Sequence, residues 1–283
     1  SFRKDTMTPS KGTLGKDRGY IIAIGGAERK RNNPRILRRF VELCGGEEAR
    51  ISVIPTATES DGTGDRYVRI FRRMKVGDVV CLNIEERDDC YRDDYSSRVE
   101  ESSGIFLSGG NQLRLSTILG GTPVARAIRR LNADGLHVAG TSAGAAIIPE
   151  HMIAEGKSGP TPTKGAVQIS PGLGLTNSLI IDQHFRQRDR LGRLLTAVSY
   201  NPFLTGVGID EDTAIFINAK NEFEVVGSRA VTVVDPSELK SSSMSSAKRG
   251  QAINLVGVKL HVLASGARYN IDTRKVTLPE AGR

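Results

Sequence analysis

The chain has 283 residues, 38% hydrophobic and 25% charged, and a net charge of +8 from 40 Lys and Arg against 32 Asp and Glu. That length gives one large domain or two small ones with a full core, and the composition excludes disordered and fibrous classes. No apolar run approaches the ~18 residues of a membrane helix.

The segment Ser1 to Lys16 is polar and basic and does not read as a secretory signal. Three cysteines, Cys44, Cys81 and Cys90, exclude a disulfide framework and lead us to expect a reducing, cytoplasmic setting. Residues 1–39 hold 11 of the basic and 3 of the acidic side chains, whereas residues 40–283 carry 29 of each. The excess charge thus sits at the start of the sequence. This argues against a broad basic face, so neither nucleic acid nor membrane is expected as a partner.

Residues 1–18 read as a flexible lead-in to a single domain over 19–283. The apolar run Tyr20–Ile24 suits a strand buried on both faces. Asn33 as N-cap and Pro34 at the first position open a helix whose stripe is Ile36, Leu37, Phe40, Val41 and Cys44. Strands at Ile51–Ile54, Val79–Leu82, Ile105–Leu107 and Leu136–Ala139 alternate with helices over 62–74, 87–101, 112–119 and 123–133. That alternation predicts a doubly wound α/β sheet. Residues 155–176 read as a long Gly/Pro/Thr-rich loop, 188–199 as a helix, and 237–250 as a mobile Ser/Lys-rich loop in a strand-rich C-terminal part.

In such sheets ligands bind at the C-terminal strand ends. Here those ends are Gly25-Gly26, Pro55–Thr58, Ser108–Gln112 and Gly140–Gly144. The sharpest is Gly140-x-Ser142-x-Gly144, which follows a strand and precedes an apolar helical run, as a nucleophile elbow requires. The plainer alternative is a small-residue turn that caps a helix.

A serine nucleophile needs a base. Of four histidines, His137 lies inside a strand, and His151 and His261 read as structural or surface residues. His184 stands in Asp182-Gln183-His184 at a strand end and is favoured over a merely packed histidine. Asp210, Glu211 and Asp212 offer an orienting acid, or else form a solvated turn. No HExxH, CxxC or EF-hand spacing occurs, so no metal is expected. The order Ser, His, acid departs from the Ser, acid, His order of α/β-hydrolases and points to another α/β family. Gly25-Gly26-Ala27 lacks the rest of a dinucleotide fingerprint, and no cofactor is expected.

Taken together, Ile24–Glu28, Val53–Ala57, Ser108–Leu113, Gly140–Ala145, Asp182–Phe185 with Arg188, Arg190 and Arg193, and Gly208–Ala214 make the chain resemble the cyanophycinases, serine peptidases of family S51. The resemblance implies a flavodoxin-like, class I glutamine amidotransferase-like three-layer α/β sandwich with a mainly parallel sheet, often dimeric. It implies hydrolysis of cyanophycin, a polyaspartate chain with arginine on each β-carboxylate, to β-Asp-Arg dipeptides.

It also implies Ser142 as nucleophile, His184 as base and Glu211 as orienting acid. Gln112, Asp182, Gln183, Arg188, Arg190 and Arg193 match substrate-pocket positions. Ala143, Gly109 and Gly110 are expected to supply oxyanion-hole N–H groups. The arginines suit a carboxylate clamp or else a solvated helix face, their spacing not placing all three on one helical stripe, and Asp182 or the acids near 210 could hold a guanidinium. Position 111 is Asn, where relatives often carry Asp. Arg29, Lys30 and Arg31 are expected to border the crevice and attract the polyaspartate backbone. The alternatives are an S51-type aspartyl dipeptidase with a smaller pocket and, more distantly, a nucleic-acid-binding protein that is not an enzyme.

Overall fold

The structure, a computed structural model, describes residues 8–281. In chain order the first half runs β1 (Ile21–Ile24), α1 (Arg35–Cys44), β2 (Arg50–Ile54), α2 (Thr63–Arg73), β3 (Asp78–Cys81), α3 (Asp93–Glu101), β4 (Gly104–Leu107), α4 (Gln112–Leu119), α5 (Pro123–Ala133), β5 (His137–Thr141) and α6 (Ala143–Ala146). The second half runs β6 (His151–Gly156), β7 (Val167–Pro171), β8 (Leu179–Gln183), α7 (Leu191–Tyr200), β9 (Thr205–Ile209), β10 (Thr213–Ile217), β11 (Glu222–Gly227), β12 (Ala230–Asp235), β13 (Ser241–Ser242), β14 (Leu255–Val256), β15 (Lys259–Ala264), β16 (Arg268–Asn270) and β17 (Val276–Thr277).

A nine-stranded sheet has the order β17-β16-β11-β10-β1-β5-β4-β2-β3. Its five strands from β1 to β3 are parallel, and β10 adds to β1 antiparallel to start the C-terminal wing. All four side chains of β1 are buried, as two helix-covered faces require. Helices α1 and α2 cover one face through Ile36, Phe40, Tyr67 and Phe71. On the other face Tyr95, Leu115 and Ile128, from α3, α4 and α5, join the second core. This is the flavodoxin-like α/β arrangement.

A second sheet, β15-β12-β9-β8, packs on the antiparallel wing through Val207, Ile209, Val231 and Val233 against Ile215, Ile217 and Val225. Helix α7 covers its far side with Leu194, Ala197 and Val198. Strands β9 and β10 belong to different sheets, so the turn Asp210–Asp212 bridges the two.

Several local expectations change. Asn33 does not cap α1: its φ is 68°, outside the extended region an N-cap needs, and Pro34 stands at the boundary without a side-chain cap. The stretch 155–176 is not all loop. Met152, Ile153 and Val167 are buried, and their strands pair as the hairpin β6–β7 around the Gly/Pro-rich turn. The helix expected over 188–199 starts at Leu191, because His184 and Asp189 take positive φ (46° and 49°) and fold 184–190 into a compact turn.

The Ser/Lys-rich loop is tied down by β13–β14 pairing, by Gly250 N–H on the Lys164 carbonyl, and by buried Met244. Residues 1–7 of the expected lead-in lie outside the described residues. Within the remainder, Thr13 N–H bonds Asp134 Oδ1 and Arg18 bonds the Ser10 carbonyl. Among the described residues no helix is long and apolar enough to cross a membrane.

Candidate active site

The C-terminal ends of β1, β2, β4 and β5 form one rim. Ser142 stands at the end of β5 with φ 55° and ψ −116°, a conformation costly for a residue with a Cβ. Its surroundings enforce the turn. A Cβ on Gly140 would lie 2.1 Å from the Gly144 carbonyl oxygen, and one on Gly144 would lie 2.3 Å from that of Leu107. Ser142 N–H is held by the Ile24 carbonyl, and its own carbonyl starts α6 by accepting from Ala145 and Ala146. The two glycines of the motif therefore permit backbone contact on either side of the half-buried Ser142.

Ser142 Oγ lies 2.8 Å from His184 Nε2, and His184 Nδ1 lies 2.7 Å from Glu211 Oε1. The carboxylate accepts the Nδ1 proton, which leaves the Nε2 lone pair facing the hydroxyl. Burial pushes the His184 pKa below its ordinary 6.5, against the Glu211 hydrogen bond that raises it; Arg188 and Arg190 add to the lowering. The imidazole is therefore neutral at neutral pH and able to take a proton. This serine, base and acid series can perform acyl transfer.

The three side chains come from both sheets. His184 ends β8, and its N–H donates to the Gly25 carbonyl at 2.8 Å. The ring lies over Gly26, where a Cβ would be 2.3 Å from Cε1. The Gly25-Gly26 pair thus provides close approach for the histidine. Of the three acids in the bridging turn only Glu211 faces the imidazole. Asp210 accepts from the Arg186 and Ala230 N–H groups, and Asp212 accepts from the Arg29 N–H and the Ser228 hydroxyl. Gln187 Oε1 accepts from Glu211 N–H at 2.9 Å and fixes that turn. Among the described residues no group of three His, Cys, Asp or Glu could hold a metal.

Backbone N–H groups surround the hydroxyl. Ala143 is the first residue of α6, so its N–H has no partner within that helix. Gly109 packs so closely that its Cβ would lie 3.2 Å from Ser142 Cβ. Among the described residues neither Gly109 nor Gly110 N–H bonds a backbone carbonyl. Asn111 is a helix cap: its Oδ1 accepts from Leu113 and Arg114 N–H.

The other pocket positions divide. Gln112 donates its amide to the Ile153 and Ala154 carbonyls and so docks β6 on the rim. Asp182, wholly buried, makes a two-pronged pair with Arg193 at 2.6 Å on each oxygen. Arg190 donates to both oxygens of Gln183 at 2.9 Å and lies 3.5 Å from Asp182; burial pulls its pKa down to about 10.

The expectation that Asp182 holds a substrate guanidinium is corrected, since it holds the chain's own. The three arginines likewise do not form one clamp. Arg193 is neutralised in the interior, whereas Arg188 is exposed and makes no ion pair among the described residues. The charges of Arg29 and Lys30 are also taken, by Asp212 and Glu28. His137 is structural, accepting from Tyr20 N–H.

Sequence reasoning missed one network. The Glu28 carboxylate, 3% exposed, accepts from Thr141 Oγ1 at 2.5 Å, Tyr67 OH at 3.0 Å and Lys30 Nζ at 2.9 Å. It braces the residue before Ser142 from behind. The signal was a carboxylate directly after a buried strand and its Gly-Gly turn, where a solvated acid would have no reason to be confined.

Known proteins resemble this chain along most of its length. The pattern of peptidase family S51 matches residues 21–225. A cyanophycinase of Nostoc sp. is 41% identical over 265 residues, spanning 93% of this chain and 89% of that protein. The cyanophycinase of Geminocystis herdmanii is 40% identical over 267 residues, 94% of this chain and 97% of its own. A crystallised peptidase from an acI-B1 Actinobacterium, 21% identical, superposes with a TM-score of 0.63 over 90% of this chain and 98% of its own, which supports the fold. A family pattern over most of the chain and relatives near 40% identity along almost its whole length place it without ambiguity: the chain belongs to peptidase family S51 and is a peptidase of the serine type.

Proposed function

We propose that this protein hydrolyses cyanophycin to β-Asp-Arg dipeptides, with Ser142, His184 and Glu211 as its catalytic triad. The observation that carries this is the alignment of Ser142 Oγ, His184 Nε2 and Glu211 Oε1 at 2.8 and 2.7 Å on a strained turn, in a chain whose relatives are named cyanophycinases. Ser142 Oγ attacks the backbone carbonyl as His184 Nε2 takes its proton. The N–H groups of Ala143 and the Gly109-Gly110 loop receive the oxyanion. His184 then returns the proton to the leaving amine, and water releases the acyl enzyme by the same steps.

A substrate with paired carboxylate and guanidinium groups needs both signs of charge nearby. Exposed Arg188 supplies the positive one beside His184. A cleft of about 420 Å³ next to the Gly110 loop, lined by Glu59, Asp61, Asp65 and Glu85, supplies the negative one. Directly before His184 in sequence, Gln183 is bonded by Arg190 and Asp182 by Arg193. The resemblance also leads us to propose a cytoplasmic homodimer; sedimentation velocity of the purified protein tests the dimer.

The deciding experiment incubates the protein with insoluble cyanophycin and identifies the products by mass spectrometry. Release of β-Asp-Arg, abolished in Ser142→Ala, is the expected result. Cleavage of short α-aspartyl peptides with intact polymer would instead identify an aspartyl dipeptidase.

A further inference from the structure

Helices α1 and α2 lie side by side on one face of the parallel sheet, with Phe40 and Phe71 in edge contact at 5.9 Å. A groove of about 440 Å³ runs between them, floored by Val41, Ile70 and Met74. The outer surface of this pair carries Arg35 and Arg38 from α1 and Arg66, Arg69, Arg72 and Arg73 from α2, all exposed. None of the six makes an ion pair among the described residues. The two helices contain only two acids, Glu42 and Asp65.

The charges that balance these arginines along the sequence are elsewhere in space. Asp88, Asp89, Asp93, Asp94, Glu100 and Glu101 lie around α3. The apolar side of that segment, Cys90, Tyr95 and Val99, belongs to the core on the opposite face of the sheet. The arginines of α1 and α2 therefore stand on one side of the sheet without these acids beside them, and Asp94, Glu100 and Glu101 pair instead with Arg92, Arg130 and Arg50.

The basic face has three properties that select its partner. It starts at the catalytic rim, because α1 and α2 follow the C-terminal ends of β1 and β2, and it runs about 15 Å down the helices at 1.5 Å per residue. It is built of arginine, whose flat fork matches carboxylates in pairs. Its aromatic residues, Phe40, Tyr67 and Phe71, are buried, so these helices offer no platform for stacking bases.

We propose that this arginine face is a docking surface for the polymer, binding the free carboxylates of its arginine branches while a chain end reaches Ser142. Glu42 and Asp65, set among the arginines, accept the accompanying guanidinium groups. The proposal rests on the cyanophycin reading of the active site and adds a surface that insoluble substrate engages and a short soluble substrate does not.

The test is the full chain carrying Arg35→Gln, Arg38→Gln, Arg69→Gln and Arg73→Gln together, with thermal unfolding checked against the parent. In a Ser142→Ala background, co-sedimentation with insoluble cyanophycin should weaken by about tenfold, as expected for several screened ion pairs. In the active background, polymer turnover should fall with it, while hydrolysis of a soluble β-Asp-Arg dimer stays at the parental rate. Retention on duplex DNA is measured beside both. Unchanged co-sedimentation, an equal loss on the soluble dimer, or a loss confined to DNA would each overturn the docking surface. If the parent itself neither binds nor cleaves the polymer, the reading of the active site fails and the docking surface falls with it. Parental cleavage with unaltered variant binding removes the docking surface alone.

Discussion

The main-chain N–H of His184 donates to the carbonyl of Gly25 at 2.8 Å, and this bond joins the second sheet to the first strand of the main one. The adjacent Gly26 then lies flat beneath the imidazole. Two elements distant in sequence thereby set the angle at which the histidine meets Ser142.

Gly26→Ala tests that joint. Gly26 has φ +101°, and a Cβ there would be 2.3 Å from His184 Cε1. The ring must move, and a displacement of about 1 Å in a reacting group costs on the order of 100-fold in kcat. The expected outcome is a large loss of kcat with a folded protein by circular dichroism; parental kcat would contradict it.

Ser142 is strained where it stands, so removing its Cβ relieves the backbone. Ser142→Gly should raise unfolding stability by about 1 kcal/mol while abolishing peptide cleavage. Denaturant unfolding of the two proteins measures the first effect and product release the second.

His184 must be neutral to act as base, and its pKa lies below 6.5. The acid limb of kcat/KM should therefore have its midpoint below pH 6.5, with activity lost as pH falls through it. Arg188 is one of the charges that lower this pKa. Arg188→Gln should move the limb to higher pH and also raise KM for the polymer. A fixed limb in that variant would mean that Arg188 does not act on the imidazole.

The Asp182–Arg193 pair is buried on both sides, at 0% and 5% side-chain exposure. Asp182→Asn leaves a buried guanidinium without its counter-charge and should destabilise the fold by about 3 kcal/mol. A direct substrate contact would instead raise KM without changing the unfolding midpoint. Measuring both separates the two roles.

Much of the architecture was legible in the sequence because its signals are local. Continuous apolar runs marked β1, β2, β4 and β5, and helical spacing gave α5 its observed bounds. Gly140-x-Ser142-x-Gly144 marked a sharp turn because only small residues allow the contacts found at both glycines. The hairpin β6–β7 was hidden because its turn is long and its composition resembles a loop. The Asn33 cap misled because a capping residue type says nothing of its own φ.

Partnership was what only the tertiary structure decided. From sequence, Asp182, Arg190 and Arg193 are equally available charges, and Asp210, Glu211 and Asp212 equally available acids. Folding buries Asp182 against Arg193, spends Asp210 and Asp212 on backbone N–H groups and leaves Glu211 facing the histidine. The same holds for the net charge of +8, which a count along the chain assigns to residues 1–39. The parallel sheet sends α1 and α2 to one side and α3 to the other, so the arginines of the first two and the acids of the third are separated by a low-dielectric core. Charge order along a chain is fixed by the sequence; which charges see each other is fixed by the side of the sheet on which each helix packs.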